Sequence, residues 1–274
     1  MAGGPEAGAF APDAGGDAGA PSFLPRKLLA QVKKKMLRVV IAVVVLLPAT
    51  AWAATAQEQE DAGFVPMFDG ETLDRWHAVP ADSIADWSVE DGMIVGEGSV
   101  DRLVYLVYDD VELTDFELEA SYRFPGHGNS GIQIHAVKDP SGKRPFVGYH
   151  ADLGHLGIGP HILGAWDFHF VAREEYACFR GTSLVIDPDG TTHTTEIEDA
   201  VRESDITRGG WNRVRVVARG RHYQFFINGK LASEFTDNSK EERLDKGAIG
   251  LQIHDAGMRV EFKDLLLKKT GSGK

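Results

Sequence analysis

Four short polar sets, each with members two residues apart, are where this chain could do chemistry. They are Glu119, Ser121 and Arg123; Gln133 and His135; His150 and Asp152; and Gln252 and His254. A β-strand has a side-chain period of two, so each set shares one face of its strand. Gln133 and His135, for example, alternate with Ile132 and Ile134, which gives that strand an apolar back and a hydrogen-bonding front. Apart from Ser121, the sets supply three histidines, two acids, one arginine and two glutamines. Imidazole exchanges protons near neutral pH. A guanidinium stabilises a developing oxyanion. Glutamine and glutamate side chains bond the hydroxyls of a polyol. If the strands lie in one curved sheet, their polar faces merge into a single concave surface of the kind a sugar-binding sheet needs.

The elements that must position these residues read as β from Phe64 onward. Trp87–Glu90 and Met93–Gly96 flank Asp91-Gly92, a hairpin signal. Phe116, Leu118, Ala120, Tyr122 and Phe124 alternate with polar residues along one long strand. Further strands are expected at 103–107, 147–153, 183–187, 191–197, 214–218, 223–227, 231–235, 247–254 and 258–267. Turns at Asp187-Pro188-Asp189-Gly190, Gly220 and Asn228-Gly229 link several of them. No stretch holds a helical period. Short strands at this spacing indicate an all-β antiparallel jelly-roll sandwich of two packed sheets, one domain over 64–269 with a tail at 270–274. Residues 154–181 are the exception, a segment rich in Gly, His and aromatic residues without clean alternation. Long loops in compact β domains often carry function. Trp166, inside it, is a candidate for stacking on a sugar, whereas the bulk of Trp87 and Trp211 reads as core.

The 274 residues do not all read as folded domain. Residues 1–35 begin rich in Ala, Gly, Pro and Asp and read as a disordered extension, with Met36 the expected true start. Basic residues, the apolar run Val39–Leu47 and the small-residue site Ala51-Trp52-Ala53 form a secretory signal over 36–56, followed by a linker at 57–63. That apolar run falls short of the roughly 20 residues of a membrane span. Cleavage after Ala53 leaves 23 Lys and Arg against 38 Asp and Glu, a formal charge of −15. So acidic a domain is a poor partner for nucleic acid. The expected location is the periplasm or the extracellular space, with no membrane insertion after cleavage. Cys178 is the single cysteine, has no internal disulfide partner, and reads as buried packing rather than a nucleophile. There is no phosphate loop, Gly-x-Ser-x-Gly elbow or dinucleotide fingerprint. His150, Asp152, His155 and His161 lie in a short span and would suit a divalent metal such as zinc or manganese, though not at a standard zinc spacing.

Several blocks follow one family's order: Phe68-Asp69-Gly70-Glu71-Thr72-Leu73-Asp74-Arg75-Trp76, then Trp87-Ser88-Val89-Glu90, Asp115-Phe116-Glu117-Leu118, Asn129-Ser130-Gly131-Ile132, Trp211-Asn212, Ile227-Asn228-Gly229 and Gly250-Leu251-Gln252-Ile253-His254. With these blocks the chain resembles the 3-keto-disaccharide hydrolase domain family over Phe64–Lys269. The resemblance implies a concanavalin A-like fold and action on glycosides whose C3 hydroxyl has been oxidised to a ketone. It departs from the family at Tyr149-His150-Ala151-Asp152, where Glu or Gln is usual in place of His150, and at His135, where Arg is frequent.

A 3-keto-glycoside gives the polar sets a task. The ketone acidifies the C2 proton; a base removes it, the group at C1 is expelled, and water adds to the resulting enone. That chemistry needs a base, a donor to the enolate oxygen and an acid for the leaving group. His150 is the expected base, with Asp152 orienting it or sharing a metal. His254 is a second acid–base candidate and Arg123 the enolate partner. Glu119, Gln133, His135, Trp166 and Gln252 would bind the sugar. Two alternatives stand beside the enzyme of small 3-keto-glycosides. One is a non-catalytic carbohydrate-binding module on the same face. The other is a conventional glycosidase, which needs two carboxylates about 5–9 Å apart, a role for Glu119 and Asp152 if their strands are neighbours.

Overall fold

A computed structural model describes residues 62–271, apart from 111, 160–161, 171–177 and 241–242. The expected extension, the signal segment, most of the linker, the end of the tail and His161 lie outside the described residues. Two sheets pack face to face. The larger runs in the order β11 (Thr192–Glu196), β10 (Thr182–Ile186), β14 (Lys230–Asp237), β13 (His222–Ile227), β12 (Asn212–Arg219), β6 (Phe116–Arg123), β16 (Arg259–Lys269), β4 (Met93–Glu97) and β3 (Trp87–Glu90), with β1 (Val65–Pro66) also on β16. The smaller runs β2 (Trp76–Val79), β5 (Val104–Tyr108), β15 (Ala248–Ile253), β7 (Asn129–Lys138), β8 (Phe146–Gly154) and β9 (Trp166–His169). Pairing is antiparallel except between β10 and β14. No helix among the described residues is long and apolar enough to cross a membrane.

The alternation seen in the sequence builds the core. Phe116, Leu118, Ala120 and Tyr122 of β6 point inward from the larger sheet, and Ile132, Tyr149, Ala151 and Leu153 meet them from the smaller one. The segment 154–181 holds a strand that its composition hides, β9. Its Trp166 and Phe168 face inward, so Trp166 is a core residue and not a sugar platform: it is 2 % exposed and meets Phe225 and Phe235 edge-on. Cys178 is buried as expected, and burial pushes its thiol up to about 12.

Strand parity fails at His135. Its backbone is left-handed (φ 46°), and the register of β7 on β8 shifts between Ile134 and Val137. Such a bulge turns a residue to the other face, and His135 enters the core beside Ile134. Its ring meets Phe116, Tyr149 and Tyr223 edge-on. Nε2 lies 2.8 Å from the Thr114 carbonyl, and Nδ1 lies 3.0 Å from the Leu244 carbonyl and 3.2 Å from Tyr223 Oη. Burial holds the imidazole below its ordinary pKa. A neutral ring donates to one of the two carbonyls, Thr114 or Leu244, and the Tyr223 hydroxyl donates to the Leu244 carbonyl at 3.1 Å. His135 therefore pins the core and is not a sugar contact.

Glu119 and Arg123 are also displaced from the expected surface. Their strand, β6, lies in the larger sheet, and its polar face is the outer side of that sheet, away from β7, β8 and β15. There Glu119 pairs with Arg213 and Arg123 with Glu261. Trp211 sits on the same outer face, half-buried rather than core, with the Arg123 guanidinium 4.6 Å and the Lys263 ammonium 4.3 Å from its ring centre. Glu119 and Asp152 thus lie in different sheets and cannot form a glycosidase pair.

The His135 assignment separates stability from activity. His135→Ala removes ring packing and strands the Thr114 carbonyl, at an expected cost of about 2–4 kcal/mol. Urea denaturation checks it; a variant as stable as wild type but inactive would restore His135 to a substrate-binding role.

Candidate functional site

The outer face of the smaller sheet carries the polar cluster. Register sets its rows. Gly250 of β15 lies opposite Gln133 of β7, Gln133 opposite His150 of β8, and His150 opposite Asp167 of β9. On one side of this row Gly131 faces Asp152; on the other Gly148 faces His169. Gln252 belongs to the same face of β15, and its Nε2 donates to Tyr105 Oη of β5 at 2.9 Å.

Gln133 is the hub. Its side-chain amide lies 3.0 Å from His150 Nδ1 and 3.1 Å from His169 Nδ1. The two imidazoles stack with centroids 4.8 Å apart and planes 20° from parallel. Each points its other nitrogen toward a carboxylate: His169 Nε2 is 2.8 Å from Asp167 Oδ2, and His150 Nε2 is 3.6 Å from Asp152 Oδ1, beyond hydrogen-bond range. Gln133 and His150 are completely enclosed, while the Asp152 and Asp167 side chains keep 15 % and 24 % of their surface exposed. The cluster is therefore layered, with imidazoles and amides beneath and carboxylates toward solvent.

Two glycines make room for it. A Cβ on Gly131 would fall 2.0 Å from His150 Nε2, and one on Gly148 would fall 2.5 Å from Gln133 Nε2. Neither position tolerates a side chain while the hub keeps its place. The Asn-Ser-Gly block is thus a structural seat for the imidazole across the ladder.

Electrostatics keep His150 neutral. Burial is the largest cause of a pKa well below the ordinary imidazole value, and the neighbouring His169 adds to it, outweighing the opposing pull of Asp167. His254, two residues beyond Gln252, adds a smaller downward push. Its own ring is exposed just past β15 and bonds Asp255 at 2.6 Å. Tyr105 is pushed up to about 12 by burial and stays a neutral hydroxyl.

Of the residues singled out in the sequence, Gln133, His150, Asp152, Gln252 and His254 come together; Glu119, Arg123, His135 and Trp166 do not. Asp167 and His169 complete the cluster and were missed. Their signal was present: Trp166, Phe168 and Phe170 alternate with Asp167 and His169, a period of two within an otherwise irregular segment. His155 does not join them; it packs edge-on against His127 and bonds the Gly128 backbone. Among the described residues, no group of three or more His, Cys, Asp or Glu side chains is arranged to hold a metal ion.

Two packed, mostly antiparallel sheets with a hydrogen-bonding outer face define a lectin-like jelly roll. Residues 63–268 match the 3-keto-alpha-glucoside-1,2-lyase-like domain, and the chain belongs to that family. A candidate glycosyl hydrolase from Parabacteroides distasonis ATCC 8503 has a similar structure: TM-score 0.55 at 20 % identity, over 80 % of this chain and 99 % of that one. At that identity the likeness concerns the fold. A second such structure from the same organism gives 0.49 at 17 % identity (75 % and 98 % covered). The carbohydrate binding module CBM66 from Bacillus subtilis gives 0.46 at 13 % (71 % and 95 % covered). Comparison with curated proteins gave no match.

Neutral burial of His135 and His150 has a consequence for pH. Both have folded pKa values below the unfolded one. Their burial costs nothing above the unfolded value of about 6.5, and stability falls as pH drops below it. Urea midpoints should therefore fall from about pH 7 to pH 5, before most carboxylates titrate. A constant midpoint across that window would contradict neutral burial.

Proposed function

We propose that this chain is an exported enzyme that cleaves 3-keto-glycosides at the outer face of the smaller sheet. The observation that carries the reading is the layered cluster on that face, two carboxylates backed by two imidazoles on one amide hub, in a chain of a 3-keto-glucoside lyase-like family.

The reaction follows from the substrate. A C3 ketone lets the C2–H bond break heterolytically, its electron pair moving onto the ketone oxygen while a site base takes the proton. Collapse of the enolate re-forms the ketone, makes the C1–C2 double bond and breaks the C1–oxygen bond. The departing oxygen takes a proton from a site acid. Addition of water at C1 then gives the free 3-keto sugar. The side chains of one sheet face can supply these proton transfers, since Asp152 and Asp167 lie on adjacent strands, diagonally across the ladder. Diagonal neighbours stand roughly 7–8 Å apart at the backbone, enough to flank a sugar ring. Tyr105, Gln252 and His254 border the same surface as hydroxyl donors or acceptors. The diagonal carboxylates also favour a second reading, a conventional glycosidase, with Asp167 replacing Glu119 as partner of Asp152.

Substrate choice tests this. A 3-keto-disaccharide and its unoxidised parent are offered to the mature chain. Turnover of the keto form alone is the expected result, with Asp167→Asn lowering kcat by about 10²-fold or more. Turnover of the parent supports the glycosidase; binding of either sugar without turnover would mean a carbohydrate-binding module.

A further inference from the structure

We infer that Gln133 is a positioning residue whose amide NH2 donates to both His150 and His169, fixing both rings as Nε2–H tautomers, so that the proton acceptors of the site are the carboxylates Asp152 and Asp167.

With the Gln133 oxygen facing the two Nδ1 atoms, each ring must carry its proton on Nδ1. In a neutral His169, Nε2 then turns a lone pair on Asp167 Oδ2 only 2.8 Å away. Two acceptors at that distance repel. The Gln133 nitrogen is meanwhile left buried with two hydrogens and no partner. Protonating His169 would turn the first contact into an ion pair, but it would set a cation 4.8 Å from the enclosed His150 ring and would still leave the Gln133 NH2 buried without a partner. A buried amide NH2 with no acceptor costs stability whichever way the rings are charged.

Reversing the amide resolves both conflicts at once. The oxygen and nitrogen of a glutamine amide are told apart by their partners. An NH2 group has two hydrogens, and here two Nδ1 lone pairs lie at 3.0 and 3.1 Å to receive them. Each ring then carries its proton on Nε2. His169 donates to Asp167, and His150 points its N–H toward Asp152. Gln252 beside it spends its NH2 on Tyr105 Oη at 2.9 Å, and its presence favours the protonated form of His150. What remains unpaired is one buried carbonyl oxygen, a commoner condition than an orphaned amine.

The consequence revises the assignment of His150 as base. A ring with Nδ1 saturated by Gln133 and a proton on Nε2 has no lone pair for the C2 proton. Each carboxylate, nearer to solvent, does, and Asp167 is steadied by the His169 N–H. When C2–H breaks, the proton goes to a carboxylate oxygen and the electron pair to the C3 oxygen. The His169 ring holds Asp167 in place, and His150 lies behind Asp152. This last step rests on the function proposed above; the tautomers do not.

Nitrogen-15 histidine spectra of the full chain at neutral pH test it, with His150→Gln and His169→Gln used to assign the signals. Both rings are expected to show a protonated Nε2 and a bare Nδ1. Gln133→Glu replaces the donor with an acceptor and should move the proton of both rings to Nδ1, or add a second one. Nδ1–H tautomers in the wild type would overturn the inference, and that measurement does not need the variant to fold. The expected tautomers without turnover of any 3-keto-glycoside would leave the inference standing and remove the proposed function.

Discussion

Burying a hydrogen-bonding cluster on the outside of a sheet is the constraint on which the rest of this structure depends. Polar groups removed from water must find partners or cost stability. Here one glutamine serves two imidazoles across three strands, and each imidazole in turn faces a carboxylate. The arrangement demands a fixed register between β7, β8 and β9, because a slip of one residue would turn every member to the opposite face. It also demands glycine at 131 and 148, where any Cβ would occupy the space of the ring or the amide. The aromatic core behind the sheet, with Tyr149, Phe168 and Tyr223 in contact, holds that register from the inside.

Layering then divides the labour. His150, sunk beneath the surface, is held neutral by burial, and the carboxylates lie toward solvent. The larger sheet has a different character. Its outer face is laced with ion pairs, Glu119 with Arg213, Glu117 with Arg215 and Arg219, and Glu261 with Arg123 and Arg259. Charges paired in this way hold strands to one another and leave little capacity for a substrate. The two faces of one sandwich have thus been assigned to different tasks by residues that look alike along the chain.

That difference marks how far the sequence could be read. Strands, hairpins and the two-sheet architecture were legible, because alternation and turn residues act locally. Alternation gives the face a side chain occupies within its own sheet, but not the sheet to which the strand belongs. Glu119 and Arg123 share a parity with one another and a sheet with none of the site residues. His135 shows a second limit, since one residue with left-handed backbone inverts the parity of a bulged strand and nothing in Gln133-Ile134-His135 announces it. Asp167 and His169 were hidden for the opposite reason: a true alternation of only four residues sits among glycines and was outweighed by its surroundings. The family blocks located the domain; His150 and Asp152, where the chain departs from them, proved to belong to the cluster.

The central claim is that this cluster removes the C2 proton of a 3-keto sugar. Exchange in heavy water reads that step without requiring cleavage. A 3-keto-glycoside incubated with the protein in D2O should take up deuterium at C2 above the uncatalysed rate, and the Asp152→Asn, Asp167→Asn double variant, folded by circular dichroism, should return uptake to that background. Equal uptake with the double variant, or none with the wild type, would contradict the account.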